Sequence, residues 1–393
     1  MSETASSQNA LLDNHPHLRL VFGNGCVAQV GELARELGAS KALLVTDPGI
    51  VAAGHSARVY EYLDTTGVGV AVFDRSKENP TTACVDECVT VAKADGIDFI
   101  IGLGGGSSMD TAKGCNFILT NGGEMKDYWG IGKASQPMLP SIMIPTTAGT
   151  GSECQSFALI ADNATHQKMA CGDPKAMAKV AILDPELTLS QPPRVTACTG
   201  IDAIAHAVEP AVTRKRNEIS LKYSGEAFRL LVGSFGRVIN EPNDTGARGE
   251  LLLGAAFAGT AIEHSMLGAA HSAANPLTAH YDVIHGQAVG MLLPHVVRFN
   301  GQEDAISEIY ANLLKAGNVP SPNGADSPEL LAEFLESLLD AAGLPRSLLT
   351  FGVEEAKLEM LSDEAASQWT ASFNPREITT SDFFSLYQEA LAA

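Results

Sequence analysis

Basic charge is scarce in this sequence. Its 393 residues hold 26 Lys and Arg against 46 Asp and Glu, a formal net charge of -20 at pH 7. Binding a phosphate backbone needs clustered cations, so this balance argues for no nucleic acid partner. It equally disfavours an anionic membrane surface, and no stretch reaches the roughly 18 to 20 apolar residues that span a bilayer. Residues 1–17 lack a basic segment followed by an apolar core, and so read as a polar, frayed tail and not as a secretory leader. Cysteine is thin and scattered: seven residues, at 26, 84, 88, 115, 154, 171 and 198, with no CxxC pair. An odd, dispersed set offers neither a disulfide framework nor a structural zinc motif, and fits reduced thiols in a cytoplasm. Internal repeats and low-complexity linkers are also missing.

What is present is an ordinary globular composition, 45% hydrophobic and 18% charged, in a chain too long for one compact core. Two halves follow different patterns. Up to about residue 187, short apolar runs alternate with helical stretches such as Thr81 to Ala94. The runs are Lys41–Thr46, Val68–Phe73, Asp98–Gly102, Ser141–Pro145 and Val180–Asp184. That alternation predicts an α/β domain over 1–187 with a parallel sheet. From 188 to 393 apolar residues recur at helical spacing, through 195–213, 218–239, 247–275, 286–298, 303–316, 328–341 and 381–391, with Pro and Gly in the gaps. This predicts an all-helical second domain.

Gly102-Leu-Gly104-Gly105-Gly106-Ser107-Ser108-Met-Asp110 follows the third strand and opens a helix. Glycines let backbone amides approach a pyrophosphate, and a helix N-terminus adds unpaired N–H groups and positive dipole. The pattern is GxGxxS and not the full dinucleotide fingerprint, so a plain tight turn competes with phosphate binding. A second loop, Pro145-Thr146-Thr147-Ala148-Gly149-Thr150-Gly151-Ser152-Glu153, also follows a strand and is dense in hydroxyls suited to ribose or phosphate. Asp47 ends the first clear strand. An acid there binds ribose hydroxyls and repels a 2′-phosphate, favouring NAD over NADP; the competing reading is the start of a Pro-Gly turn.

Histidine supplies the sharpest anomaly. Five of ten histidines fall within 264–295: His264, His271, His280, His285 and His295. Earlier, Asp202 and His206 are four apart, so a helix puts them on one face. His271 is expected late in a helical run that Pro276 ends or bends, and His285 just before another run. Three imidazoles with one carboxylate form an N/O site suited to Fe2+ or Zn2+ that leaves room for a substrate oxygen. Spacing alone leaves open which four ligands converge.

Several motifs in order give the chain a resemblance to the iron-containing (group III) alcohol dehydrogenase family from about Phe22 to the C-terminus. They are Gly104–Lys113, Pro145–Glu153, Asp202-Ala-Ile-Ala-His206-Ala-Val-Glu209, and Leu267-Gly-Ala-Ala-His271 with His285-Gly286. Asn79-Pro80-Thr81 and Asn374-Pro-Arg376 also resemble family patterns. The resemblance implies an α/β dinucleotide-binding domain, an all-α metal domain and a cleft between them. It assigns the metal to Asp202, His206, His271 and His285, supports Asp47 as the NAD-selecting acid, and puts Lys168 near the nicotinamide. With Asn79 added, the cofactor group becomes Asp47, Asn79, Gly104, Gly105, Gly106, Ser107, Ser108, Asp110, Thr146, Thr147, Thr150, Ser152 and Lys168. The implied activity is interconversion of a primary alcohol and an aldehyde by hydride transfer with NAD and Fe2+ or Zn2+, in a homo-oligomer that is at least a dimer.

The sequence departs from the family around the substrate. Asn275 stands where a second histidine is common, and asparagine relays no proton, which leaves His280 or a ribose hydroxyl with water. Ile262 and His264 replace a usual Phe-x-Asn, and Phe157 replaces a polar residue of some relatives. These four are the expected pocket-lining positions. Two related chemistries compete: a dehydroquinate-synthase-like lyase, for whose phosphorylated substrate no Arg/Lys cluster is evident, and a maleylacetate-reductase-like or other oxo-acid reductase, which needs no metal.

Overall fold

The computed structural model describes residues 10–165, 167–322 and 326–393. Residues 1–9 of the expected tail lie outside them. The rest of the tail is more ordered than expected: Asn14 N bonds to Ala10 O at 3.2 Å in a helical turn, and Leu11 is buried. The chain divides into two units, Met1–Thr147 with Gly151–Gln191, and Ala148–Thr150 with Pro192–Ala393.

The first unit is built on six parallel strands in the order β1-β9-β6-β4-β2-β3. They are β1 Arg19–Phe22, β2 Lys41–Val45, β3 Gly69–Phe73, β4 Phe99–Gly104, β6 Ser141–Pro145 and β9 Val180–Leu183. Successive side chains point to opposite faces, and both faces are covered, so the strands read as continuous apolar runs. Ala42 and Leu44 pack with Ile101, Ile142, Ile144 and Ile182 against helices α1 (Val30–Glu36) and α3 (His55–Thr65). Leu43 and Val45 pack with Phe73, Ile100 and Met143 against α4 (Thr82–Asp95) and α5 (Gly106–Asn121). A five-residue helix, α2 (Pro48–Ala52), follows β2.

The sequence reading missed β1 and a second sheet in which β8 (Lys168–Gly172) lies between β5 (Gly130–Ile131) and β7 (Phe157–Ala161). β1 is only four residues long with both ends exposed, whereas β7 is an apolar run, Phe157-Ala-Leu-Ile-Ala161, that the sequence reading missed. Gly172 makes room for the Phe157 ring opposite it, which any Cβ there would strike.

The second unit has no strand among its described residues. Its helices are α6 (Pro193–Val212), α7 (Glu218–Asn240), α8 (Thr245–His264), α9 (Ala269–Tyr281), α10 (His285–Asn300), α11 (Asp304–Ala316), α12 (Ser327–Ala341), α13 (Leu358–Ser367) and α14 (Thr380–Ala392). Side-chain caps start several of them: Asn217 with Ser220 for α7, Asp244 for α8, Thr379 with Asp382 for α14. Helix α13 was not anticipated. No single described helix is long and apolar enough to cross a membrane.

One correction bears on the site. The run expected over 247–275 is two helices, broken at Ser265–Gly268, where Met266 takes a φ of 117°. His271 therefore sits in the first turn of α9 and not at the end of a long helix. Pro276 neither ends nor starts anything: α9 continues through it to Tyr281. A proline removes one backbone hydrogen bond, and the burial of Ala273, Ala274 and Leu277 around it outweighs that loss.

Candidate metal centre and nucleotide cradle

In the first unit, three loops leave the carboxyl ends of the adjacent strands β2, β4 and β6, the edge where open α/β sheets bind ligands. β4 ends at Gly104, whose φ of 144° favours glycine and where a Cβ would come within 2.7 Å of Ser108 Oγ and 3.1 Å of Asp47 Oδ2. Gly105 precedes α5 with no side chain capping it, so the first amides of that helix face the loop. Asp47 does two things. Its Oδ1 accepts from Ile50 N at 3.1 Å, capping α2, and its Oδ2 accepts from Ser108 Oγ at 3.1 Å. The turn reading and the ribose-acid reading of Asp47 thus describe one residue beside the glycine loop.

Thr146 N bonds to Gly104 O at 3.0 Å, tying the second loop to the first. Ser152 and Asp110 are buried and bonded to each other. Ser152 Oγ donates to Asp110 Oδ1 at 2.7 Å and accepts from Lys113 Nζ at 2.8 Å; Asp110 Oδ2 accepts from Leu159 N at 3.2 Å. The Lys113 side chain is 1% exposed, so a buried cation and its partners clamp α5 to the loop. Burial pushes the Asp110 carboxyl up despite the nearby Lys113 ammonium. Asn79, at φ 50°, and Lys168, at the start of β8, are exposed.

In the second unit, α6 carries Asp202, His206 and Glu209 at spacings of four and three, one helical face, all buried. α9 brings His271, and α10 begins at His285. Asp202 Oδ1 lies 3.6 Å from His206 Nε2, 3.5 Å from His271 Nε2 and 4.0 Å from His285 Nε2. The Nε2 atoms of His206 and His271 are 2.9 Å apart, their rings stacked at 4.8 Å between centroids. Ligand atoms of Asp202, His271 and His285 all lie within 4.8 Å of one another, and His206 Nε2 adjoins Asp202 and His271.

Their donors suit a divalent ion. Ligands on a tetrahedral ion with bonds of about 2.1 Å lie roughly 3.4 Å apart, and the separations here straddle that value. Asp202 Oδ1 is buried with no hydrogen-bond donor, an arrangement that costs free energy unless a cation meets it. Burial works to raise the Asp202 pKa, but His206, His271 and His285 outweigh it and hold the carboxyl well below the usual range. Burial lowers the pKa of His206, favouring the neutral form a metal requires.

Supporting contacts orient the ligands. His206 Nδ1 faces Gly149 O at 3.2 Å, and a Cβ on Gly149 would come within 2.6 Å of Thr199 Cβ. A Cβ on Gly286 would strike the Cys198 carbonyl, so glycine lets α10 seat His285 against α6. Glu209 accepts from Ala270 N at 2.7 Å and meets His271 Nδ1 at 2.5 Å. Burial would lower the His271 pKa, but Glu209 and Asp202 raise it to about 9. Sequence reasoning quoted Glu209 within a motif and gave it no role; its position three residues past His206 was the available signal.

His280 and His295 take other partners. His280 pairs with Glu364 at 2.9 Å, and His295 with Glu389 at 3.2 Å. Asn275 donates to Gln368 Oε1 at 3.1 Å. Ile262 is buried in α8 and His264 ends that helix, its carbonyl accepting from Asn217 Nδ2 at 2.7 Å. Phe157 begins β7 in the first unit.

Comparison with known proteins agrees with this geometry. Residues 16–185 match the family model for iron-containing alcohol dehydrogenase, and residues 196–391 match the C-terminal model of the Fe-containing alcohol dehydrogenase family. The chain is 34% identical over 373 residues to an NAD-dependent methanol dehydrogenase of Bacillus methanolicus, covering 94% of this chain and 97% of that protein. It is 32% identical to lactaldehyde reductase of Escherichia coli, at 94% and 97% coverage. A solved 1,3-propanediol oxidoreductase superposes with a TM-score of 0.91 at 30% identity, covering 95% of this chain and 98% of that one. With two family models spanning nearly the whole sequence, and Asp202, His206, His271 and His285 gathered around one buried oxygen, the chain belongs to the iron-containing alcohol dehydrogenase family.

Proposed function

We propose that this chain is an NAD(H)-linked oxidoreductase that interconverts a primary alcohol and an aldehyde by hydride transfer. One observation carries the reading: a buried carboxylate oxygen of Asp202 with no donor, ringed by three imidazole nitrogens. A divalent ion held by these four residues, Fe2+ or Zn2+, supplies a Lewis acid that acidifies an alcohol hydroxyl and polarises an aldehyde carbonyl, while NAD supplies the hydride acceptor.

The chain's residues bind and orient. Amides at the start of α5, behind Gly104, Gly105 and Gly106, hold the pyrophosphate, with hydroxyls of Ser107, Thr146, Thr147 and Thr150 around it. Asp47 accepts from ribose hydroxyls and repels a 2′-phosphate, selecting NAD. Asp110 and Ser152 serve by fixing the loop through Lys113, and Asn79 and Lys168 act at the margins of the site. Asp202 gives the centre its negative charge and the three neutral imidazoles complete it. His285, with 31% of its side chain exposed, is the ligand that meets solvent, so substrate reaches the centre from its side. Asn275 cannot titrate, so the alcohol proton leaves through His280 or through a ribose hydroxyl with water. Phe157, Ile262, His264 and Asn275 form the reading's candidate contacts to substrate.

A cytoplasmic setting accompanies this reading, supported by seven buried cysteines that form no disulfide. So does a homo-oligomer of at least two subunits, which light scattering would count. The deciding experiment is a panel of alcohols and aldehydes with NAD(H) and NADP(H) on protein loaded with Fe2+ or Zn2+. Net NADH formation from a primary alcohol, abolished by a chelator, is expected. Loaded protein that produces no net NADH from any alcohol would overturn the reading, and oxo-acid reduction by metal-free protein would replace it.

A further inference from the structure

We infer that Glu209 is a positioning residue for the metal centre: one oxygen fixes the start of α9 and the other fixes the ring of His271, so that His271 presents Nε2 to the ion. The inference rests on the metal-centre reading above and assigns a residue outside the four ligands.

The observations come from three elements. α9 begins at Ala269 behind Gly268, which offers no side chain to cap it. Its first amides would be buried without partners. Glu209 on α6 fills that place from outside the helix, its Oε1 accepting from Ala270 N at 2.7 Å. An anionic group at a helix N-terminus also meets the positive end of the dipole. The same carboxylate meets His271 Nδ1 through Oε2 at 2.5 Å. A carboxylate only accepts, so Nδ1 carries the proton, and on an ion-bound ring that leaves Nε2, 3.5 Å from Asp202 Oδ1, as the ligand atom. Geometry leaves no slack: a Cβ on Gly268 would sit 3.1 Å from Glu209 Oε1 and 3.3 Å from Asn374 Oδ1. Asn374 is held in turn by Asn300, whose Nδ2 donates to Asn374 Oδ1 at 3.0 Å while Asn374 Nδ2 donates back to Asn300 Oδ1 at 2.8 Å.

Charge supports the assignment. Asp202 and Glu209 are carboxylates in contact with the imidazole cluster, and both are buried. Two negative charges with three neutral imidazoles balance one divalent cation. Glu209 supplies the half of that balance that does not touch the ion.

Glutamine tests this, because it keeps the shape and removes one acceptor. In Glu209→Gln the amide oxygen can serve Ala270 N or His271 Nδ1, not both. With the oxygen on Ala270, the amide NH2 faces Nδ1, the ring takes the other tautomer, and a proton occupies the nitrogen meant for the ion. Affinity for Zn2+ and Co2+, measured by chelator competition on the full chain, should fall by about 10- to 100-fold, with NADH binding and the apo-protein melting temperature little changed. Glu209→Asp, which keeps the charge, should recover part of the affinity. In the Zn2+-loaded wild type, 15N-histidine NMR should show a protected Nδ1 proton on His271.

Unchanged metal affinity in Glu209→Gln overturns the inference. If that variant fails to fold, the wild-type spectrum decides: Nδ1–H on His271 supports the role and its absence refutes it. Wild type that takes up no ion at all sinks the metal-centre reading itself, whereas wild type that binds an ion no more tightly than Glu209→Gln sinks only the role of Glu209.

Discussion

Gly149→Ala should damage the metal centre from outside the ligand set. Gly149 lies in the threonine-rich loop, and its carbonyl faces Nδ1 of His206 at 3.2 Å. An added Cβ would meet Thr199 Cβ at 2.6 Å, with the Thr199 carbonyl at 3.1 Å and its Cα at 3.2 Å. Two of those three atoms are helix backbone and cannot rotate away. Ordinary carbon contact is roughly 3.5 to 4.0 Å, so the loop must lift from α6 by about 1 Å. His206 is on the same helix, and its Nδ1 would then lie about 4 Å from the carbonyl, beyond hydrogen-bond range. The direct loss is on the order of 1 kcal/mol for the bond. Freeing the tautomer and orientation of a ligand adds to it, and comparable losses of a ligand's support weaken metal binding by about 10- to 100-fold. Zn2+ affinity by chelator competition reads this directly. Thr199→Gly removes one of the three clashing atoms, so the double variant should recover part of the loss, and their coupling reports the contact. Wild-type metal affinity in Gly149→Ala would show that the carbonyl does not support His206.

Three further outcomes follow from the same structure. His271→Ala should lose bound metal by elemental analysis and most turnover, while NADH titration stays close to wild type; full turnover without metal would remove His271 from the ligand set. Asp47→Ser keeps a capping hydroxyl for α2 but removes the charge, so the ratio of NADP to NAD efficiency should rise by about tenfold or more, on the reasoning that an acid there repels a 2′-phosphate; an unchanged ratio would contradict its selecting role. Glu153 is 2% exposed, and burial raises its carboxyl pKa from 4.5 to about 7. Between those values the unfolded chain binds fewer protons at Glu153 than the folded one, so this group's contribution lowers stability as pH rises from about 4.5 and levels off above about 7. The full shift corresponds to roughly 3 kcal/mol. Glu153→Gln should therefore gain stability over wild type at pH 8 and little at pH 5 in chemical denaturation; equal gains at both pH values would refute the burial argument.

How much of this was legible in the sequence depends on how far each feature reaches along the chain. Five of the six strands of the first sheet showed as apolar runs, the four central ones because both faces of a parallel sheet are covered there. β1 did not, because it is four residues long with both ends exposed; β7, Phe157-Ala-Leu-Ile-Ala161, is an apolar run with no exposed residue, and burial does not explain why it was missed. The pair Asp202 and His206 was legible from helical spacing alone. Joining it to His271 and His285 required the family resemblance, since no local rule links residues 65 or more positions apart. Pro276 misled because proline usually ends a helix, while the actual break depended on Met266 and Gly268. Those residues gave no strong signal, and the left-handed turn at Met266 is held by its surroundings.

By itself, then, the sequence determined the two folding patterns, the glycine loop at a strand end, and the residue types available for a metal. Each of these is a local matter of periodicity, turn chemistry or side-chain chemistry. The tertiary structure alone decided that Asp202 Oδ1 is buried without a donor among three imidazoles. It also decided that Asp110, Lys113 and Ser152 are bonded to one another inside the first unit, and that Glu209 joins Ala270 to His271. These are properties of burial and of partners distant in sequence, which exist only once helices α6, α9 and α10 have packed.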